Sequence, residues 1–576
     1  MAELFEERFK SKALASIYAI VGIWLSIIII GVGYKTSLRT FEAMTIKPIE
    51  KCSPTEIKKI ELYKEFRGLD KLYKENKLPD ENKARYQTLE NMYKKDQITA
   101  YASYTDINWF YILYTVFVGL YVIMGGLEAA IWNDVIQGIL IFVFSAMLIP
   151  ISIIKLGGWS SFASSVPNHM LYVFGSGLDE FSFSSIAALT LISIIGITGH
   201  QGNMSNNGAA KDELTARIGN IGGAYTKRIL TIMWAFCGLL AFALYKDTIS
   251  DPDTAWGVMS NNLLGVGLRG IMVAGILAAN MSTLAGVSVY LAALFVRHLY
   301  KPFVRNKSDM HYVGVSRISI AGILLLGLYV AYSTSSIISV ITMLPSLMVI
   351  FGAPVLLILF WKRLTLTAVY VQVILCTLIL AVIPQILPNF EKFEQSKCLT
   401  QQTIEQIDKN GNIIRPAAIY YDSVARKIPD DPNSPMIGIG GRIHSELVIA
   451  KFLGLNLSQM RPSTLLTIRY LVASFLPFVI LIPVSFMTGN KGLEENIARF
   501  YAKMKTRVVA DRALDNAELE KSYANPSRFD HTKLFPRSNW EFCKWTAEDF
   551  WGFLASTALT AIIMLLFWGL IRWIAA

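Results

Sequence analysis

From Ala13 to Tyr34 the chain runs without a single charged side chain, between Lys12 on one side and Lys35 on the other. A helix rises about 1.5 Å per residue, so a run of this length crosses a hydrocarbon layer of about 30 Å. In lipid, backbone amides must be satisfied within the segment, which restricts such a run to a helix. The feature recurs. Apolar runs at about 13–34, 107–126, 130–154, 183–199, 226–245, 267–299, 314–334, 337–361, 365–387, 463–487 and 550–574 predict eleven spans of an all-α polytopic membrane protein. Charged residues make up only 17% of the chain, against about 25% in soluble domains. The opening MAELFEERFKSK is partly acidic, and the apolar run after it is too long for the core of a cleavable signal peptide.

The formal charge of +11 is distributed as topology, not as a nucleic-acid footprint. Arg8, Lys10 and Lys12 precede the first span. Lys211, Arg217, Lys227 and Arg228 lie between spans four and five, Arg297 to Arg317 hold five cations between six and seven, and Lys362 and Arg363 lie between eight and nine. The alternate short loops carry Asp179, Glu180, Asp247, Asp251 and Asp253. The positive-inside rule then puts the N-terminus in the cytoplasm and, after eleven spans, the C-terminus outside, across a bacterial-type inner (plasma) membrane.

Hydrophilic insertions at 35–106 and 388–462 fall outside, and one at 488–549 falls inside, around core helices 107–387, a helix at 463–487 and a C-terminal helix in 550–576. In the first, Ser53-Pro54-Thr55-Glu56 has the form of a capping box with proline at the first helical position, and Pro79-Asp80 opens a second helix. Cys52 and Cys398 stand one in each outer insertion, which allows an extracytoplasmic disulfide or two separate thiols. Leu493, Ile497 and Phe500 share a helical face in the inner insertion, which reads as a membrane-surface helix or as a solvated linker.

Three stretches carry chemistry. Gly125-Gly126 predicts a tight turn between the second and third spans, and Asp134 follows in Trp132-Asn-Asp134-Val-Ile-Gln137. Ala279, Ser282 and Thr283 stand at i, i+3 and i+4, on one helix face, offering a carbonyl and two hydroxyls to a hard cation. Ala274, Ala278, Ser282 and Gly286 equally form a small-residue stripe for close helix packing. The short fourth span ends in Gly196-Ile-Thr-Gly199-His200-Gln201, and broken helices mark binding sites in secondary transporters. His200 and Gln201 therefore either face a solute or cap the helix. Thr342 and Ser346, beside Pro345, either line the same cavity or bond their own backbone.

Tyr121-xxx-Gly125-Gly126-Leu127-x-Ala129 followed by Trp132-x-Asp134-xx-Gln137 resembles the signature of the sodium:solute symporter family, with the upstream small residue of the pattern displaced to Ser103-Tyr104. The resemblance runs over about residues 1–390. It implies a leucine-transporter-type inverted-repeat core, with sodium held by the Ala279 carbonyl, Ser282 and Thr283. It also implies a sodium-relay role for Asp134, whose position at a helix start equally suits a cap. The expected function is sodium-coupled import of a small polar solute by alternating access, with no enzymatic chemistry. Family substrates include sugars, sialic acids, amino acids, iodide-like anions and vitamins. The first helix matches the family's fourth, so about three family helices, including one that lines half the cavity, are expected to be missing from this chain. A transporter-like sensor using the outer hairpin, or a membrane transferase, are the competing readings. The transferase reading lacks clustered acids and histidines: the six histidines form no motif.

Overall fold

The computed structural model describes residues 2–575 apart from 96, 172–180, 201, 203–206, 209, 247, 250–251, 334–336, 408–412, 430, 432, 441 and 510. Among the described residues, ten helices are long and apolar enough to cross a membrane. The eleventh expected span is the apolar helix Phe183–Thr198, whose 16 residues rise only about 24 Å.

The chain opens with α1 (Ala2–Phe9) and α2 (Lys12–Met44), the latter capped by the Ser11 side chain. The first insertion is a helical hairpin, α3 (Pro54–Lys74) and α4 (Asp80–Lys94). Its capping box is present in full: Ser53 Oγ accepts from the Glu56 amide and Glu56 Oε2 accepts from the Ser53 amide at 2.7 Å. With Lys47 also donating to it, the Glu56 carboxyl is pulled down to about 2. The hairpin core is aromatic, built on Tyr63, Phe66 and Tyr86 around Leu89.

Next come α5 (Ile107–Leu156), α6 (Trp159–Ser165), α7 (Phe183–Thr198), α8 (Glu213–Tyr245), α9 (Ala255–Leu263) and α10 (Val266–Phe295). The expected break in helical structure at Gly125-Gly126 is absent, and α5 is helical throughout. Its contacts nevertheless show that it doubles back. Tyr114 and Tyr121 donate to the carbonyls of Leu277 and Met281, so this leg ascends with α10. Further on, Asp134 meets Ser282 while the Phe144 ring lies against Gly275, so the second leg descends. Tyr114 and Phe144 would stand about 45 Å apart on a straight helix, yet they reach α10 within one turn of each other. The reversal falls between Val122 and Asp134, the stretch that holds the two glycines.

The remaining core helices are α11 (Asp309–Ser333), α12 (Ile337–Phe360) and α13 (Leu366–Thr377). The 388–462 insertion is more than a loop. It folds two hairpins, β1 (Gln406–Ile407) with β2 (Ile413–Ile414) and β3 (Ser423–Arg426) with β4 (Met436–Ile439), plus α14 (Ser445–Phe452), over a core of Ile419, Tyr420, Tyr421 and Leu447. Short strands separated by polar turns carry too little periodicity to read from the sequence. The two outer insertions clasp one another: Arg415 pairs with Asp70, Tyr73 donates to Glu405, and Asn91 accepts from the Arg426 amide. The Cys52–Cys398 disulfide does not form. Both are free thiols, with Cys52 Sγ turned to the Pro48 carbonyl and Cys398 exposed. The insertions are joined by the Asp70 and Asn91 contacts instead.

After α15 (Pro462–Met487) come α16 (Glu494–Lys505), α17 (Arg512–Ala524) and the C-terminal α18 (Ala547–Ala575). Neither reading of the 488–549 segment holds. Ile497, Phe500 and Tyr501 of α16 are buried in the same core as Phe5, Phe9, Phe351 and Leu364. Arg8 is fully buried there, its guanidinium over the Phe9, Phe500 and Tyr501 rings and donating to the Lys362 carbonyl at 2.9 Å. Three of the basic loops share this face: Arg8 meets the 362 loop, Arg297 pairs with Glu3, and Ser16 donates to the His298 carbonyl.

Two helix crossings depend on glycine. A Cβ on Gly327 of α11 would stand 2.2 Å from Ile30 of α2, and one on Gly352 of α12 would stand 2.2 Å from the Ile195 carbonyl of α7. Small residues at such points let helix backbones approach where lipid supplies no hydrophobic drive.

Candidate functional site

The doubled-back course of α5 determines what faces α10. The second leg begins beside the middle of α10, and Ser282 Oγ donates to Asp134 Oδ1 at 2.5 Å. A hydroxyl-to-carboxylate bond of this length is a charge-assisted contact. The two residues are 148 positions apart in sequence, and each belongs to a separate motif. Their meeting concentrates oxygen donors and one negative charge at a single point on the α5–α10 seam.

Around this pair, Ala279 and Asn280 are half-buried, Ser282 is half-buried, and Thr283 is exposed on the α10 surface. The Ala279 carbonyl lies one turn below Thr283 and keeps a second lone pair beyond its helical bond. The set of a carboxylate, two hydroxyls and a carbonyl is all oxygen, the donor chemistry that hard cations select. Among the described residues no group of three or more His, Cys, Asp or Glu side chains could hold a transition metal. Gln137, one helical turn past Asp134 on the same face, is 4% exposed and its Oε1 has no partner among the described residues. Its place in the Trp132-x-Asp134-xx-Gln137 spacing was the available signal, and it adds a buried amide oxygen to the same wall. Tyr114 and Tyr121 were not foreseen either. Each spends its hydroxyl on an α10 carbonyl, fixing the register between the helices.

The proposed substrate residues do not converge. His200 lies at a small cavity of about 40 Å³ formed with Tyr18 and Ser26 of α2 and Met348 of α12, and its buried Nδ1 has no partner among the described residues. Tyr18 Oη donates to the Gly199 carbonyl at 3.1 Å, and Tyr290 of α10 donates to Ser26 Oγ at 3.3 Å. The break after α7 is thus held to α2 and, through Thr198 and Gly352, to α12. Gln201 lies outside the described residues. Thr342 opens instead on a different cavity, of about 330 Å³, beneath the 388–462 insertion. Ser346 is fully buried on α12 with its hydroxyl unpartnered.

The family model described as "Sodium:solute symporter family" matches residues 105–374. The high-affinity proline transporter PutP of Bacillus subtilis is 25% identical over 260 residues, which is 42% of this chain and 53% of that protein. The sodium-dependent multivitamin transporter of Oryctolagus cuniculus is 26% identical over 255 residues, 41% of this chain and 40% of its own. This chain therefore spans about half the length of these curated relatives, or less. A solved structure of a Na+-coupled sialic acid symporter in a substrate-bound outward-open state aligns with 64% of this chain and 85% of its own, at 16% identity and a TM-score of 0.40. The matched region contains both legs of α5, the α10 hydroxyls and the α7–α12 crossing, and over it this chain is similar to the sodium:solute symporter family.

Proposed function

We propose that this protein is a sodium-coupled symporter that imports a small polar organic solute across the plasma membrane by alternating access. The observation that carries the reading is the Ser282–Asp134 hydrogen bond, which joins the two motifs into one oxygen-rich point. In this reading Asp134 supplies the charge that attracts sodium. Ser282, Thr283 and the Ala279 carbonyl supply neutral oxygens, with Gln137 beside them. Entry of each sodium ion down the membrane potential gains about 2.3 kcal/mol per 100 mV, enough to concentrate a solute roughly fiftyfold. The basic face built from Arg8, Arg297 and Lys362 is cytoplasmic in this reading, and α18 leads the C-terminus to the other side. Relatives named for proline and for vitamins fit a solute of modest size.

The test is equilibrium binding of radioactive sodium to the purified chain in lipid nanodiscs, with potassium as competitor. Asp134→Asn and Ser282→Ala each remove one charge-assisted contact, worth about 1.5–3 kcal/mol, so each is expected to weaken sodium binding at least tenfold. Thr190→Ala, on the exposed side of α7, is the control and leaves binding unchanged. Sodium affinity undiminished in Asp134→Asn would sink the assignment.

A further inference from the structure

The 330 Å³ cavity beneath the 388–462 insertion lies apart from the α5–α10 pair and is lined by an arginine without a hydrogen-bond partner among the described residues. Arg469, in the second turn of α15, lines this cavity and is only 8% exposed. Its Nε is buried without a partner, and among the described residues the guanidinium makes no hydrogen bond or ion pair. The other charges nearby are matched. Lys94 pairs with Glu90 at 3.2 Å, Arg415 with Asp70, and Arg442 with Glu446 at 2.9 Å. Asp422 accepts from His444 Nε2 at 2.9 Å and is open to water, while burial pushes the His444 imidazole down towards its neutral form. With His444 neutral, the carboxylates of Asp422 and Glu446 equal Arg442 and Arg469 in number, but among the described residues neither accepts a hydrogen bond from Arg469, whose donors are left unmet.

Burying guanidinium N–H donors without acceptors is costly, and among the described residues the Glu446 carboxylate acts on Arg469 only through its field, without a hydrogen bond. A guanidinium presents parallel N–H donors that fit a carboxylate in two-point fashion. The cavity volume falls within the range of small-molecule sites, and Thr342 and the apolar Leu465 and Leu466 form part of its wall. We propose that this cavity binds the carboxylate group of a small organic solute, with Arg469 as its anchor. The site draws its residues from the insertion, α12 and α15, so it stands whether or not sodium binds at Asp134.

Calorimetric titration of the full chain in nanodiscs with propionate tests it, with its uncharged isostere propionamide and with chloride as comparisons. Propionate is expected to bind, propionamide to give no heat, and chloride to displace propionate only at tenfold or greater excess. Arg469→Gln is expected to weaken propionate binding at least tenfold, with Arg469→Lys intermediate because it keeps the charge and loses the fork. Without ligand, Arg469→Gln is expected to melt at or above the wild-type temperature, since it removes buried donors that lack acceptors. Equal binding of propionamide, chloride competing on equal terms, or unaltered propionate binding in Arg469→Gln each overturn the proposal. So does a melting temperature that falls in Arg469→Gln while propionate leaves the wild type unmoved, which would make the arginine structural.

Discussion

Glu541 is the point where the 488–549 segment is fastened to the membrane core, and its removal has a calculable cost. The side chain is 1% exposed and pairs with Lys362 at 3.0 Å, Lys505 at 2.5 Å and Lys533 at 2.9 Å. Backbone bonds flank it: the Glu541 amide donates to the Phe360 carbonyl and the Lys362 amide to the Asn539 carbonyl, both at 2.8 Å. Glu541→Gln keeps the shape but leaves three ammonium groups converging, with Lys533 only 3% exposed. Breaking a buried ion pair costs about 3–5 kcal/mol. Lys362 is 30% exposed, so water compensates part of the loss and the lower end applies. About 3 kcal/mol is roughly a 150-fold rise in the population with this segment open. Trypsin reads it directly, because cleavage after the half-buried Lys505 and the buried Lys533 requires opening, and under fast reclosing the rate follows the open population. Lys533→Met added to Glu541→Gln removes one stranded cation and is expected to recover part of the protection at Lys505, the site it leaves intact. Cleavage rates within twofold of wild type would refute the electrostatic account. The sign with pH follows as well. Burial alone would push the Glu541 carboxyl up, but the lysines outweigh it and hold it below the usual range. Its contribution is therefore complete above about pH 4.3, the unfolded value, and is lost as pH falls through the lower folded value. Hydrogen exchange at the Glu541 amide should stay slow at pH 5 and accelerate only well below pH 4.

Gly352→Ala places a methyl 2.2 Å from the Ile195 carbonyl, against backbone that has no rotamer to yield. A loss of about 1–3 kcal/mol is expected, read as a lower thermal midpoint in detergent, and an unchanged midpoint would show that the α7–α12 crossing is looser than its glycines imply. The five cysteines are all free, so denatured protein should titrate the same number of thiols with and without prior reductant. A gain of two after reduction would restore the Cys52–Cys398 pairing.

What the sequence disclosed followed from how far each signal reaches along the chain. Span positions were legible because lipid imposes a long, uniform requirement on every residue of a run, as in Ala13–Tyr34. The capping box at Ser53 and Glu56 was legible because both partners sit within one turn. Ser282 and Asp134 were each nominated from their own motif, but nothing local says that they touch; that depends on α5 turning back beside α10. The face of Leu493, Ile497 and Phe500 showed an apolar stripe without naming what covers it, and the answer, α1 with the end of α12, lies hundreds of residues away. Cys52 and Cys398 show the same limit in reverse: a shared compartment permits a bond, and only three-dimensional placement decides it.

The packing also indicates where movement would be felt. One apolar core joins α1, α7, α12, α13, α15 and α16, and a second joins the first leg of α5 with α10 and α11. Helix α2 belongs to both, through Leu14 and Tyr18 on one side and Ile30 and Tyr34 on the other. The His200 cavity is lined by Tyr18, Leu347 and Phe351 of the first core, and single polar contacts tie α2 to its neighbours: Tyr290 to Ser26, Ser16 to the His298 carbonyl, and Tyr18 to the Gly199 carbonyl. Each such bond is worth about 1 kcal/mol net, small beside the apolar area that keeps each core intact. A movement of α10 relative to α1, α7 and α12 would break the Tyr290–Ser26 and Ser16–His298 contacts first, and His200 would be the side chain whose surroundings change.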